Sequence, residues 1–226
     1  MHSEVITANL DYLLLGSWPQ GQLGGMALTL LMGLAAAALA SVLGIAAGVG
    51  LVMATPRWRR LLGVLCGTLR AIPVVMLIFW CYFLLPVLFG VDVPGTLTVI
   101  AALALIGGAF LAQTVQAGID AAPAGQWQAG LALGFTRWQV LCWLILPPAL
   151  RMMLPSFVNQ WVSLLKDTSL AYVVGVAELT FVAAQVNNRE QVYPLEVFAF
   201  IALCYLLLCS LLAWAGRWLG RSPLQA

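Results

Sequence analysis

The sequence predicts an all-α polytopic membrane protein with five transmembrane helices, and three observations carry that prediction. Apolar residues make up 63% of the chain and charged residues 8%, against about 45–50% and roughly 25% in soluble domains. Mean hydropathy is +1.00. The apolar residues fall into long runs, and 226 residues accommodate about five spans of ~20 residues with short connections. The chain therefore reads as one membrane domain over 1–226, with its core at about 23–219.

The first run extends from about Leu23 to Met53 and is rich in Gly and Ala. Its Gly44-x3-Gly48 spacing suits close helix packing in lipid, and equally fits a lipid-facing filler. The second runs from about Leu61 to Phe89, the third from Gly95 to Ile119, the fourth from Ala149 to Leu165 and the fifth from Leu195 to Leu219. A further run, Ala171 to Ala184, is too short to span and reads as a re-entrant or interfacial helix, with Thr168 or Ser169 as its cap.

Basic residues set the orientation. Arg57, Arg59 and Arg60 lie between runs one and two, Arg137 between three and four, Arg151 just inside four, and Arg217 and Arg221 at the end of five. The opposite connections carry Asp92, Lys166, Asp167, Glu178, Arg189, Glu190 and Glu196. The expected topology is N-terminus outside (periplasmic) and C-terminus inside (cytoplasmic). No cleavable signal is expected, because the first residues carry acids and lack a basic stretch.

Composition also excludes chemistry. The sole histidine is His2, near the terminus, so histidine ligation or acid–base work in the core is ruled out. The five cysteines form no CxxC pair and read as small buried hydrophobes, with no metal site expected. A net charge of +2 gives no reason to expect nucleic acid. There is no Gly-rich loop ending in Lys-Ser/Thr, so nucleotide chemistry would belong to another chain. An intramembrane enzyme needs paired acids or a nucleophile with a base, and only scattered single charges occur. A self-sufficient secondary transporter predicts inverted repeats, and none is visible. No catalytic residues are assigned.

Two polar stretches interrupt the apolar pattern. Between Ala121 and Pro147, the segment from Gly125 to Gly134 reads as a short helix closed by Gly134, with Trp127, Leu131 and the alanines on one face. Such a helix is too short to stand alone and needs a partner surface. The second stretch, Lys166-Asp167-Thr168-Ser169, reads either as an interfacial helix end or as the lining of a water-filled path. Arg70, just before Pro73, could turn a guanidinium toward a cavity and grip a carboxylate, or could snorkel to the interface. Asn159, Gln160 and Ser163 could line a path or join a second chain, and Glu178 reads as a gate or a structural pair.

The pattern Gln128-Ala129-Gly130-x3-Gly134-x9-Leu144-x-Leu146-Pro147 resembles the EAA loop of ABC-importer permeases. The run LPPALRMMLPSFVNQWVSLLKDTSL, together with Arg70-Ala71-Ile72-Pro73 and Gln116-Ala117-Gly118-Ile119, is similar to the polar amino-acid subfamily. The resemblance covers about Met26 to Leu219. It implies the type I ABC-importer permease (MetI-like) fold and ATP-driven alternating access for polar L-amino acids, with a lean toward glutamate and aspartate; glutamine, histidine and arginine remain open. It implies two cytoplasmic ATPase subunits that bind ATP and Mg, an external solute-binding protein, a second permease chain and an inner-membrane location. Gln126, Gln128, Ala129, Gly130, Gly134 and Arg137 would couple to the ATPase. Arg70, Pro73, Asn159, Ser163, Lys166, Asp167, Thr168, Ser169 and Glu178 would line or flank the solute path.

The departures from the family pattern are Gln128 for the usual Glu, Gly130 for Ala, and Gln113 and Gln116 where a Glu–Arg pair is common. Neutralising both members avoids an unpaired buried charge. It favours a homologous hetero-partner that keeps the charged pair, with a homodimer open.

Overall fold

The computed structural model describes residues 4–90, 93–190 and 194–220, and among these only helices and two isolated bridges occur. His2, Asp92 and Arg221 lie outside the described residues. Two short helices, α1 (Glu4–Ala8) and α2 (Leu10–Leu15), precede the first long one, α3 (Gly25–Met53). Next come α4 (Pro56–Ala71), α5 (Val74–Phe79) and α6 (Leu85–Phe89), with a π-helical turn at Trp80–Leu84 between the last two. The long α7 (Gly95–Asp120) leads into α8 (Ala124–Ala132) and α9 (Arg137–Val140). A second π turn, Leu141–Ile145, feeds α10 (Leu146–Asp167), and a 3-10 turn at Thr168–Val174 precedes α11 (Leu179–Glu190) and α12 (Pro194–Gly220).

Four stretches are long and apolar enough to cross a membrane: Gly25–Met53, Gly95–Asp120, Arg137–Val174 and Pro194–Trp218. The expected second span is present as a bent pair, and Pro73 bends it far more sharply than a kink. It starts at Pro56 and breaks at Ile72-Pro73, where Pro56–Ala71 and Val74–Phe89 meet at 102°. The cause is local: Pro73 has no N–H to donate, and its ring pushes Ile72 out of the helical region to φ −79, ψ 128. Counting this bent pair as one span gives five.

The fourth span begins earlier than expected, because Pro147 and Pro148 do not end it. Leu141–Ile145 widens to a π turn just before Pro147, and Trp80–Leu84 does the same before Pro86. A widened turn shifts the carbonyls that a proline ring would otherwise strike. The expected helix over 171–184 is also corrected. The 3-10 turn stops at Gly175, whose φ of +74 suits glycine, and α11 starts only at Leu179.

Glycine decides how the long helices pack. A Cβ on Gly44 would lie 2.4 Å from Leu111 Cβ, and one on Gly48 would lie 2.5 Å from Val115 Cβ and 2.7 Å from the Ala112 carbonyl oxygen. The Gly44-x3-Gly48 pair is therefore a helix seam, with α3 and α7 side by side and running the same way. α10 runs against them, with Leu164 on Gly107 and Met153 on Gly118. α12 closes on α10 through Gly216 and Val158. The main core, including Met32, Ala36, Ala40, Val99, Leu103, Leu111, Val115 and Leu164, lies along these contacts.

These directions place the end of α3, the start of α4, the end of α7 and the start of α9 together. Arg57, Arg59, Arg60 and Arg137 are all exposed there. These four arginines therefore share one end of the bundle, and the orientation of that end is set only by the basic-residue rule applied to the sequence.

Candidate functional site

At the basic end, α8 is short because both its boundaries are encoded. Pro123 precedes it with φ −55. After Leu133, Gly134 adopts φ +84 and donates to the Leu131 carbonyl (3.0 Å), while Phe135 donates to that of Gly130 (3.2 Å). That pair of bonds is a Schellman closure. Thr136 then starts α9 in a reciprocal cap with Gln139, whose backbone N–H donates to Thr136 Oγ1 and whose Oε1 accepts from the Thr136 N–H.

Trp127 packs back on the core, but Leu131 does not share its burial; Leu131, Leu133, Gln126, Gln128, Ala129 and Arg137 are exposed. Gly130 is buried, and a Cβ there would lie 2.7 Å from Val140 Cγ2. The glycine in place of the family's alanine is therefore matched in space by a β-branched neighbour. Beside α8, a cleft of about 560 Å³ is lined by Val52, Arg59, Asp120, Trp127 and Arg137 among others.

The second polar region is a helix face. α7 turns Gly107, Leu111, Val115 and Gly118 inward and exposes Phe110, Gln113, Ala117 and Asp120 at helical spacing. α10 meets α7 through Leu164 and Met153, α3 through Leu165 and Trp161, and α12 through Val158. What remains of its circumference carries Met152, Ser156, Asn159 and Ser163. Following the right-handed winding of each helix, the free faces of α7 and α10 open to the same side. The opposite side is apolar: a cleft of about 320 Å³ between α3, α10 and α12 is lined by Leu30, Gly33, Leu34, Trp161, Leu165 and Leu211 among others.

Arg70, in the last turn of α4, reaches that polar face. Its guanidinium carbon sits 4.9 Å from the centroid of the Phe110 ring, within cation–π range. Its Nε is buried without a hydrogen-bond partner. Pro73, three residues on, makes the break that ends α4 beneath it.

The Lys166–Ser169 cluster divides. Lys166 is exposed and Asp167 half-buried at the end of α10. The expectation that Thr168 or Ser169 caps the following helix is not met. Thr168 Oγ1 donates back to the Leu165 carbonyl (2.7 Å) and Ser169 Oγ to that of Lys166 (2.8 Å). Thr168 is fully buried.

The cap is Glu178, also fully buried. Its Oε2 accepts from the Thr180 N–H (2.9 Å) and its Oε1 from the Phe181 N–H (2.9 Å). Its own N–H reaches the Val176 carbonyl, and the Leu179 N–H donates to Thr29 Oγ1 (3.0 Å). All four leading N–H groups of α11 are thus satisfied. Tyr205 Oη donates to Glu178 Oε2 from α12 (3.0 Å), and the Gly25 N–H donates to the Ala177 carbonyl from α3. Burial pushes the Glu178 carboxyl above the usual carboxylate range, against the pull of these hydrogen bonds. Sequence reasoning missed Thr29, Phe110 and Tyr205. A hydroxyl on an otherwise apolar helix was the available signal for Thr29 and Tyr205; Phe110 carried none.

The family of binding-protein-dependent transport system inner membrane components matches residues 40–224. A probable glutamine ABC transporter permease (GlnP) of Bacillus subtilis strain 168 is 32% identical over 195 residues, covering 85% of this chain and 89% of its own. The glutamine transport permease GlnP of Escherichia coli K12 is 37% identical over 159 residues (68% and 70%). The glutamate/aspartate import permease GltK of Escherichia coli O157:H7 is 32% identical over 143 residues (60% and 63%). Among solved structures, an amino acid ABC transporter crystallised with histidines superposes with a TM-score of 0.78 at 24% identity, covering 87% of this chain and 91% of that one. The MetNI methionine transporter in an inward-facing form gives 0.75 at 22%, covering 86% and 92%. At those identities the likeness is one of fold.

Proposed function

The chain belongs to the family of binding-protein-dependent transport system inner membrane components, and we propose that it is the permease subunit of an ATP-driven importer for polar L-amino acids in a bacterial inner membrane. The observation that carries this reading is α8. It is a rigid, Gly- and Pro-bounded helix that presents Gln126, Gln128, Ala129, Leu131 and Leu133 outward at the basic end of the bundle. A helix this short with an outward apolar edge at Leu131 and Leu133 suits docking on a protein partner. A cytoplasmic ATPase subunit, which would bind ATP and Mg, fits that need.

Solute then passes along the polar face of α4, α7 and α10. Arg70, Asn159, Ser163 and Asp167 border the path and Pro73 shapes it. Lys166 and Ser169 stand at its outer end, and Thr168 and Glu178 support it from within the core. The basic end faces the cytoplasm, a second permease chain covers the polar face, and an external binding protein delivers solute. The relatives' names span glutamine, cystine and glutamate/aspartate, which supports a polar amino acid and gives an acidic one no priority.

Reconstitution tests the reading. ATPase activity should appear only when a separate nucleotide-binding subunit is added, and amino-acid uptake should require ATP. Uptake driven by an ion gradient without that subunit would refute it.

A further inference from the structure

Within the proposed path, Arg70 is left with an open valence. Its Nε–H is buried without an acceptor, and an unpartnered buried donor calls for an explanation. The side chain is half-buried, and no acidic group forms an ion pair with it among the described residues. Only the Nε is enclosed; the terminal nitrogens make no hydrogen bond and reach the surface of the polar face. The guanidinium carbon lies over the Phe110 ring, 4.9 Å from its centroid.

The geometry points to Arg70 and Phe110 as a docking site for the α-carboxylate of the transported amino acid; this rests on the transport reading above. The guanidinium is planar by itself, and a ring beneath it restrains where its terminal N–H pair, the fork that grips both oxygens of a carboxylate, can sit. Arg70 is then the binding residue, and Phe110 is the positioning residue that holds the fork. The groups nearest the fork on this face are neutral: Gln113 one turn along α7, and Ser156 and Asn159 on α10. The carboxylates this chain carries on the same side stand farther off along their helices: Asp120 is about 15 Å beyond Phe110 on α7, and Asp167 about 12 Å beyond Asn159 on α10. Because the α-carboxylate is common to all amino acids, the site selects the class and leaves side-chain choice to other groups.

Binding of L-glutamine and of its uncharged α-amide to the full complex in nanodiscs, without binding protein, tests this. The free acid should bind at least about tenfold better than the amide, the loss expected for a charge-assisted hydrogen bond. Arg70→Gln should abolish that preference, and Arg70→Lys and Phe110→Leu should reduce it while the complex melts normally. Equal binding of acid and amide by the wild type, or an acid preference that survives Arg70→Gln, overturns the site but leaves transport intact. Arg70→Gln that splits the complex from its second permease, with the acid preference kept in the remainder, shows that the carboxylate comes from the partner chain and also overturns it. Failure of the wild type to bind either compound, or any polar amino acid, overturns the transport reading together with this one.

Discussion

Replacing Glu178 with alanine should unseat α11 from both neighbours. The carboxylate accepts from the Thr180 and Phe181 N–H groups and from Tyr205 Oη, at 2.9, 2.9 and 3.0 Å. Loss of a helix cap alone costs about 1 kcal/mol. Here the freed donors are enclosed, and each unsatisfied buried donor adds about 1–3 kcal/mol. Allowing for partial relaxation, a total of ~3–4 kcal/mol is expected, a large share of a typical stability of about 5–15 kcal/mol. For a chain of this length that lowers the melting temperature by about 6–16 °C, measurable by tryptophan fluorescence in detergent or nanodiscs. Glu178→Gln keeps one acceptor and should cost roughly half as much. If Glu178→Ala melts within about 2 °C of wild type, the cap is not holding the two helices.

The same residue makes stability depend on pH. Glu178 lies between the Arg137–Val174 and Pro194–Trp218 spans, outside both, and burial raises its pKa. A carboxyl with a raised pKa in the fold holds its proton more tightly there than in the unfolded chain. Its contribution is therefore full at acidic pH and is lost as the pH rises through the folded value. Wild type should lose stability relative to Glu178→Gln on going upward from about pH 4.3, and a difference between the two that stays flat with pH contradicts the assignment.

Gly48→Ala should cost about 1–3 kcal/mol by overpacking, since its Cβ meets both Val115 and the Ala112 carbonyl; lowered thermal stability with α3 and α7 forced apart is the expected result. Gly134→Ala meets no neighbouring atom, so its cost is the left-handed backbone alone, about 1–2 kcal/mol. It should lower the melting temperature by about 2–8 °C, less than Glu178→Ala, while weakening the response of a partner ATPase to solute. Gln128→Glu adds an exposed charge at no packing cost and should raise coupled ATPase activity; unchanged coupling would mean that α8 engages its partner by shape and backbone alone.

Much of this fold is legible in composition, because lipid demands long apolar helices and places arginines at one end. The span boundaries at Met53 and Gly95, and the start of the last span within one residue of the expected Leu195, follow from that. The misreadings have local causes. An apolar run from Leu61 to Phe89 looks continuous in hydropathy, yet one proline at 73 turns it by 102°. Pro147 and Pro148 look like a stop but are absorbed by a π turn that no composition signal announces. Thr168 and Ser169 look like caps, but the residue that caps α11 is ten positions beyond Thr168 and needs Thr29 from α3 and Tyr205 from α12 to complete its shell.

The polar residues were individually visible in the sequence, but which of them share a surface was not. That depends on which side of α7 the glycines of α3 press against. Gly44 and Gly48 hold α3 on one side and Gly107 and Gly118 hold α10 on the next, so Gln113, Asn159 and Ser163 are left facing the same way. The short helix α8 shows the same dependence in miniature. Gly130 looks like a defect in the EAA pattern until Val140, ten residues on, is found in the space that an alanine methyl would need. Placing an alanine at 130 without shortening Val140 would tilt α8 away from the bundle. The surface offered to a partner is therefore set by a contact on the hidden side of the helix, where a motif defined along the chain does not reach.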